Sequence, residues 1–148
     1  MPSGRPDHVL HITGGRPLLG RVRIGGSKNA TLPLMAAAML TREPVTLRNA
    51  AAVADTALMC EILGDLGVRV ERDACCRITL AAADVSGVVA DDLGRRMRAS
   101  IVLLGALVSR AGAARLPKPG GDEIGARRVE QHVRGRRAMG AEVVETAS

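Results

Sequence analysis

The sequence predicts an α/β fold, and three observations lead there. Stretches with apolar residues at helical spacing alternate with short runs that read as strands. A helix–strand–helix–strand plan occurs twice, about seventy residues apart, closing on GDLGVRVE and RAMGAEVVE. The 148 residues are 47% hydrophobic and 24% charged, enough for one globular core. That core has no Phe, Tyr or Trp and must be built from Ala, Val, Leu, Ile and Met. Without the largest buried side chains, modest stability is expected.

Residues 1–7 are polar, contain two prolines and read as a disordered tail. Residues 8–13 and 20–24 alternate in the strand manner, with Gly14-Gly15 turning the chain between them. Gly25-Gly26 breaks that pattern. Ser27 then caps a predicted helix carrying Leu32, Leu34, Met35, Ala38, Met39 and Leu40, with Pro33 near its first turns. Residues 45–47 form a short strand signal. Asp55 reads as the cap of a second helix through Leu58, Met59, Ile62, Leu63 and Leu66, stopped by Gly67. Strands are expected at 68–71 and 77–81 around a turn at 72–76. The second half repeats the plan: a helix over 96–110, a strand at 113–116, the loop LPKPGGDEIG, a helix over 126–139 ending at Gly140, and a strand at 142–145.

The net charge of +6, mostly from Arg, favours an anionic partner. Missing aromatics argue against single-stranded nucleic acid, which relies on base stacking. No basic run reads as a nucleic-acid arm, so a small phosphorylated ligand is favoured. Cys60, Cys75 and Cys76 have no metal-ligand spacing and read as buried or incidental thiols in a reducing cytoplasm. The N-terminus has no long apolar segment, so neither a signal peptide nor a membrane span is expected. His8, His11 and His132 assemble into no catalytic set.

Two glycine-rich turns open predicted helices: GGSKN at 25–29 and PGGDEIGAR at 119–127. A helix start offers free N–H groups and a positive dipole end, and glycines let an anion approach the backbone. Lys28 adds a mobile charge and Asn29 an amide. The same turn also reads as a capped helix start with a solvated Lys. GGSKN lacks the GxxxxGK[ST] spacing of a Walker A loop. Arg98 and Arg127 lie near helix starts, where a guanidinium either binds phosphate or carboxylate as a fork or stays on the surface. Asp122, in the second glycine loop, reads either as a first-turn acid facing the helix dipole or as a proton donor in a site dried by its ligands.

GGSKNATLPLMAAAML, MRASIVLLGALVSR and LPKPGGDEIGARRVEQH together resemble the UDP-N-acetylglucosamine 1-carboxyvinyltransferases, enolpyruvyl transferases of peptidoglycan synthesis. The likeness is ordered and runs from about residue 9 to residue 145. Asn29 after Lys28 favours this nucleotide-sugar branch over the enolpyruvylshikimate-phosphate synthases, which typically have Ser there. The resemblance implies an inside-out α/β barrel of repeated β-α-β-α-β-β units, incomplete in this chain. Residues 8–21 would join the domain completed by C-terminal sequence, and residues 22–148 would form the first two units of the other domain.

It also implies transfer of the enolpyruvyl group of phosphoenolpyruvate to the 3-hydroxyl of UDP-N-acetylglucosamine, with release of phosphate. Lys28 and Asn29 would hold phosphoenolpyruvate. Arg98, Arg127, Arg128, Val129, Glu130 and Gln131 would bind the nucleotide sugar. Asp122 would protonate the methylene carbon of phosphoenolpyruvate. No cofactor, metal, nucleic acid or membrane is expected to take part. Asp122 stands where most relatives carry cysteine, and a carboxylate cannot form the thioether that fosfomycin makes, so resistance to that drug is expected. Arg128 replaces the usual Pro, and Gln131 a Leu or Met, which alters the nucleotide contacts. The chain covers roughly a third of a two-domain enzyme of this kind. Three roles follow: a split transferase that associates with a complementary domain, a non-catalytic remnant that binds nucleotide sugar or nothing, and a basic anion-binding module.

Overall fold

A computed structural model describes residues 11–120 and 129–145. Its first helix, α1 (Lys28–Ala38), starts at Ser27, whose backbone is extended and whose side-chain oxygen accepts the Ala30 N–H at 3.4 Å. Pro33 lies within the helix. The chain then forms β1 (Val45–Leu47), α2 (Ala54–Asp65), β2 (Arg69–Arg72) and β3 (Ile78–Ala81). Gly67, at φ +93°, takes the left-handed turn that ends α2, as its position in the sequence predicts.

The three strands form one antiparallel sheet in the order β1-β3-β2. Register fixes its two faces. Val45 and Val70 both pair with Leu80, and Leu47 pairs with Ile78, so the apolar side chains share one face. Thr46, Thr79 and Glu71 share the other, where the Thr46 and Thr79 hydroxyls meet at 3.0 Å. The sheet is therefore covered on one side only. The covering layer is α1 and α2, which bury Met35, Met39, Met59, Ile62 and Leu63.

The second half continues this core differently from the uninterrupted helix expected over 96–110. A short helix α3 (Asp91–Arg95) comes first, then a 3₁₀ turn (Arg98–Val102), and only then α4 (Leu103–Ala111). The break has a visible cause. Ser100 is fully buried, and its hydroxyl donates to the Gly94 carbonyl at 3.1 Å, folding the 3₁₀ turn back on α3. Leu103 and Leu107 of α4 join the core cluster beside α1.

Arg110 locks these layers together. Its guanidinium donates to the carbonyls of Met39 (2.6 Å) and Thr41 (2.8 Å) after α1, and to Ala82 (2.8 Å) and Ala83 (3.0 Å) after β3. A cation at the C-terminal end of α1 also complements that helix's dipole.

Several expected strands do not form. Residues 11–27 contain no strand, and apart from Gly26 they are exposed. They pair with neither of the sheet's edge strands, β1 and β2. Residues 113–116 give only an isolated parallel bridge, Val88 to Arg115. Residues 142–145 form none. The helix expected over 126–139 is observed as α5 (Glu130–Ala138), with residues 126–128 outside the described set. One α-β-α-β-β unit is thus complete, the second is present mainly as helices, and the described residues form no barrel. No described helix is long and apolar enough to cross a membrane.

Candidate functional site

The glycine turn at 25–27 sits against the loop that follows β1. A Cβ on Gly26 would stand 2.7 Å from the Ala51 nitrogen and 2.8 Å from the Ala50 carbonyl carbon, so only glycine fits this approach. The loop turns through Asn49, at φ +55°. Thr31, buried in the first turn of α1, fastens it: its hydroxyl donates to the Ser27 carbonyl at 2.8 Å and accepts the Ala51 N–H at 3.1 Å. A further bond runs from the Ala50 N–H to the Cys76 carbonyl at 2.8 Å.

This packing brings the starts of α1 and α2 together. Lys28 Nζ lies 2.8 Å from Asp55 Oδ2, with the two side chains 50% and 41% exposed. Asp55 is not the cap its position suggests. Val53 occupies that place without a side-chain hydrogen bond, and Asp55 lies in the first turn. The carboxylate serves the helix dipole and neutralises Lys28 instead. Nothing in the local sequence shows this pairing, because the partners are distant along the chain and meet through the packing of α1 on α2 and the Gly26–Ala51 approach. Thr31 likewise carries no local signal of its role, whereas Gly26 is marked by its glycine motif.

Asn29 is exposed beside Lys28 on the first turn of α1. Arg98 opens the 3₁₀ turn, is half-buried, and lies on an element packed against α1. Lys28, Asn29 and Arg98 therefore belong to one packed body. Val129, Glu130 and Gln131 begin α5, whose Val133 is buried outside the main core cluster. Gly105 lets the Arg136 guanidinium of α5 lie directly on α4. Glu130 and Gln131, with Val133, Arg134, Arg137 and Glu145, line a shallow depression of ≈ 370 Å³. Asp122, Arg127 and Arg128 lie outside the described residues.

The three thiols are free and lie in two environments. Cys60 is half-buried, and that burial raises its pKa above the usual 9.0. Cys75 and Cys76 are exposed in the β2–β3 turn. Among the described residues no three His, Cys, Asp or Glu side chains are grouped to hold a metal.

The arrangement centres on the Lys28–Asp55 ion pair. It gathers two helix N-termini, a lysine, an amide and a neighbouring arginine, with no thiol or imidazole nucleophile among them. Residues 12–147 match the family model described as EPSP synthase (3-phosphoshikimate 1-carboxyvinyltransferase). The chain is also similar to the crystal structure of the enolpyruvyl transferase NikO from Streptomyces tendae, with 34% identity and a TM-score of 0.61. That likeness covers 68% of this chain and 24% of that chain.

Proposed function

Because the chain belongs to the EPSP synthase family of enolpyruvyl transferases, we propose that it carries the phosphoenolpyruvate-binding portion of such an enzyme, with UDP-N-acetylglucosamine as acceptor. The observation that carries this reading is the meeting of the α1 and α2 starts at Lys28 and Asp55. An anion there is faced by free N–H groups and a lysine ammonium. Lys28 and Asn29 hold the phosphate and carboxylate of phosphoenolpyruvate, and Arg98 adds a guanidinium from the adjoining 3₁₀ turn. Val129, Glu130 and Gln131, with Arg127 and Arg128, take the nucleotide sugar. Asn29 supports this acceptor rather than 3-phosphoshikimate.

In the reaction, Asp122 delivers a proton to the methylene carbon of phosphoenolpyruvate while the acceptor's 3-hydroxyl adds to the adjacent carbon. Loss of that hydroxyl's proton gives a tetrahedral phosphate-bearing adduct. Elimination of phosphate, with a proton leaving the new methyl group, regenerates the double bond on the transferred group. Cations around the two phosphorylated substrates offset their repulsion. A carboxylate at position 122 leaves fosfomycin no thiol to alkylate. Like the barrel to which its unit would belong, turnover calls for a complementary domain facing this surface.

The test is a titration of phosphoenolpyruvate, with and without UDP-N-acetylglucosamine, read as a melting shift by far-UV circular dichroism, alongside phosphate release. Phosphoenolpyruvate should raise the wild-type midpoint, and Lys28→Ala should lose most of that shift. An equal shift in Lys28→Ala would sink the assignment.

A further inference from the structure

The β2–β3 turn carries a feature with no part in anion binding. Cys75 and Cys76 are adjacent, free and exposed. The backbone around them is firmly held. The Asp73 carboxylate accepts the N–H groups of Cys75 at 2.8 Å and Arg77 at 2.9 Å, and Arg77 Nε at 2.7 Å. Cys76 is left-handed at φ +57°, and its carbonyl receives the Ala50 N–H. Two thiols are thus presented to solvent on a fixed turn.

Consecutive α-carbons across a trans peptide stand about 3.8 Å apart. Unstrained disulfides span about 4.4–6.8 Å between theirs. Direct S–S closure here is strained. A ligand that inserts one atom between the sulphurs closes a larger ring and avoids that strain. Soft thiolates select a soft centre. No third His, Cys, Asp or Glu among the described residues gathers here to complete a metal site. The chemistry that fits is a centre satisfied by two thiolates and one carbon substituent.

We propose that Cys75 and Cys76 form a two-thiol modification site for monosubstituted trivalent arsenicals. With phenylarsine oxide, two S–H bonds and the arsenic–oxygen bond break, and two As–S bonds form. The oxygen leaves as water with the two thiol protons. Arsenic stays trivalent, so neither oxidant nor reductant is needed. The adduct would lie one backbone hydrogen bond from Ala50 and border the loop that seats Gly26.

The experiment treats the full chain with phenylarsine oxide and measures intact and tryptic masses. Cleavage after Arg72 and Arg77 isolates both thiols on one peptide, residues 73–77. One phenylarsenic group, less two hydrogens, should appear on that peptide. It should survive excess 2-mercaptoethanol and be lost to 2,3-dimercaptopropanol. Cys75→Ser and Cys76→Ser should each lose the monothiol-resistant adduct, whereas Cys60→Ser should keep it. Release of the wild-type adduct by the monothiol, its location on Cys60, or its persistence in either turn variant would overturn the proposal. Far-UV spectra of the variants establish that each keeps the wild-type fold.

Discussion

Replacing Asp55 by Asn tests whether the carboxylate competes with substrate for Lys28. At the observed 2.8 Å, bare Coulomb attraction in water would be about 1.5 kcal/mol. Both side chains are more than a third exposed, so solvent screening reduces this to about 0.2–1 kcal/mol. Freed from that partner, Lys28 should bind phosphoenolpyruvate about 1.4- to 5-fold more tightly. The gain should shrink as salt rises, because the pair is screened. Stability should move the other way. Asp55 lies in the first turn of α2, where its charge is worth about 0.3–1 kcal/mol against the helix dipole. The assay is calorimetric titration at two salt concentrations, with melts of the unliganded chain. Unchanged or weaker binding in Asp55→Asn, with the far-UV spectrum intact, refutes the competition. Asp55 would then be orienting Lys28 rather than masking it.

Four other perturbations follow from the packing. Arg110→Ala removes four bonds to carbonyl oxygens and should cost about 2–4 kcal/mol; denaturation must be followed by circular dichroism, since the chain has no Trp or Tyr. Gly26→Ala should displace the Ala50–Ala51 backbone, costing about 1–3 kcal/mol by overpacking and weakening phosphoenolpyruvate binding; unchanged stability and affinity would contradict the close approach. Thr56→Val should stabilise by about 1 kcal/mol, because the buried Thr56 hydroxyl has no hydrogen-bond partner among the described residues, and a lower melting midpoint would oppose this. Cys60 has a folded pKa raised chiefly by burial, so its contribution to stability is present below 9.0 and lost as pH rises through the folded value; Cys60→Ser should flatten that alkaline loss, and iodoacetamide should reach Cys75 and Cys76 before Cys60.

The first unit was legible because local signals and tertiary packing agree. Ser27 caps α1, Gly67 ends α2, and Ile78 and Leu80 alternate into the core as strand periodicity requires. The second unit was harder to read. A run of apolar residues over 96–110 has helical spacing throughout, yet the buried Ser100–Gly94 bond divides it. Periodicity does not register a single buried hydroxyl. Residues 20–24 alternate like a strand but pair with no strand among the described residues, and strand formation depends on a partner as much as on pattern. In the site, Lys28 and Asn29 stood out through their glycine motif. Asp55 and Thr31 did not, because their roles arise from contacts between segments far apart in sequence.

Exposure sets what this site can do alone. Lys28 is half exposed, so its attraction to an anion is weakened by water. Binding can survive that weakening, but addition to phosphoenolpyruvate asks more. Electrostatic stabilisation of developing charge is strong only where water is excluded. A carboxyl such as Asp122 acts as a proton donor near neutral pH only if desolvation raises its pKa. Both conditions call for a second surface over α1 and α2. Leu18, Leu19, Val22 and Ile24 are 97%, 96%, 88% and 84% exposed in the segment before the glycine turn, which suits them to meet such a surface. Binding and turnover should therefore separate. The chain should take phosphoenolpyruvate weakly through Lys28, and phosphate release should rise when a complementary enolpyruvyl transferase domain is added. Charged substitutions at Leu19 and Val22 should abolish that rise and leave phosphoenolpyruvate binding intact. Equal phosphate release with and without the added domain would show that the described surface already excludes enough water.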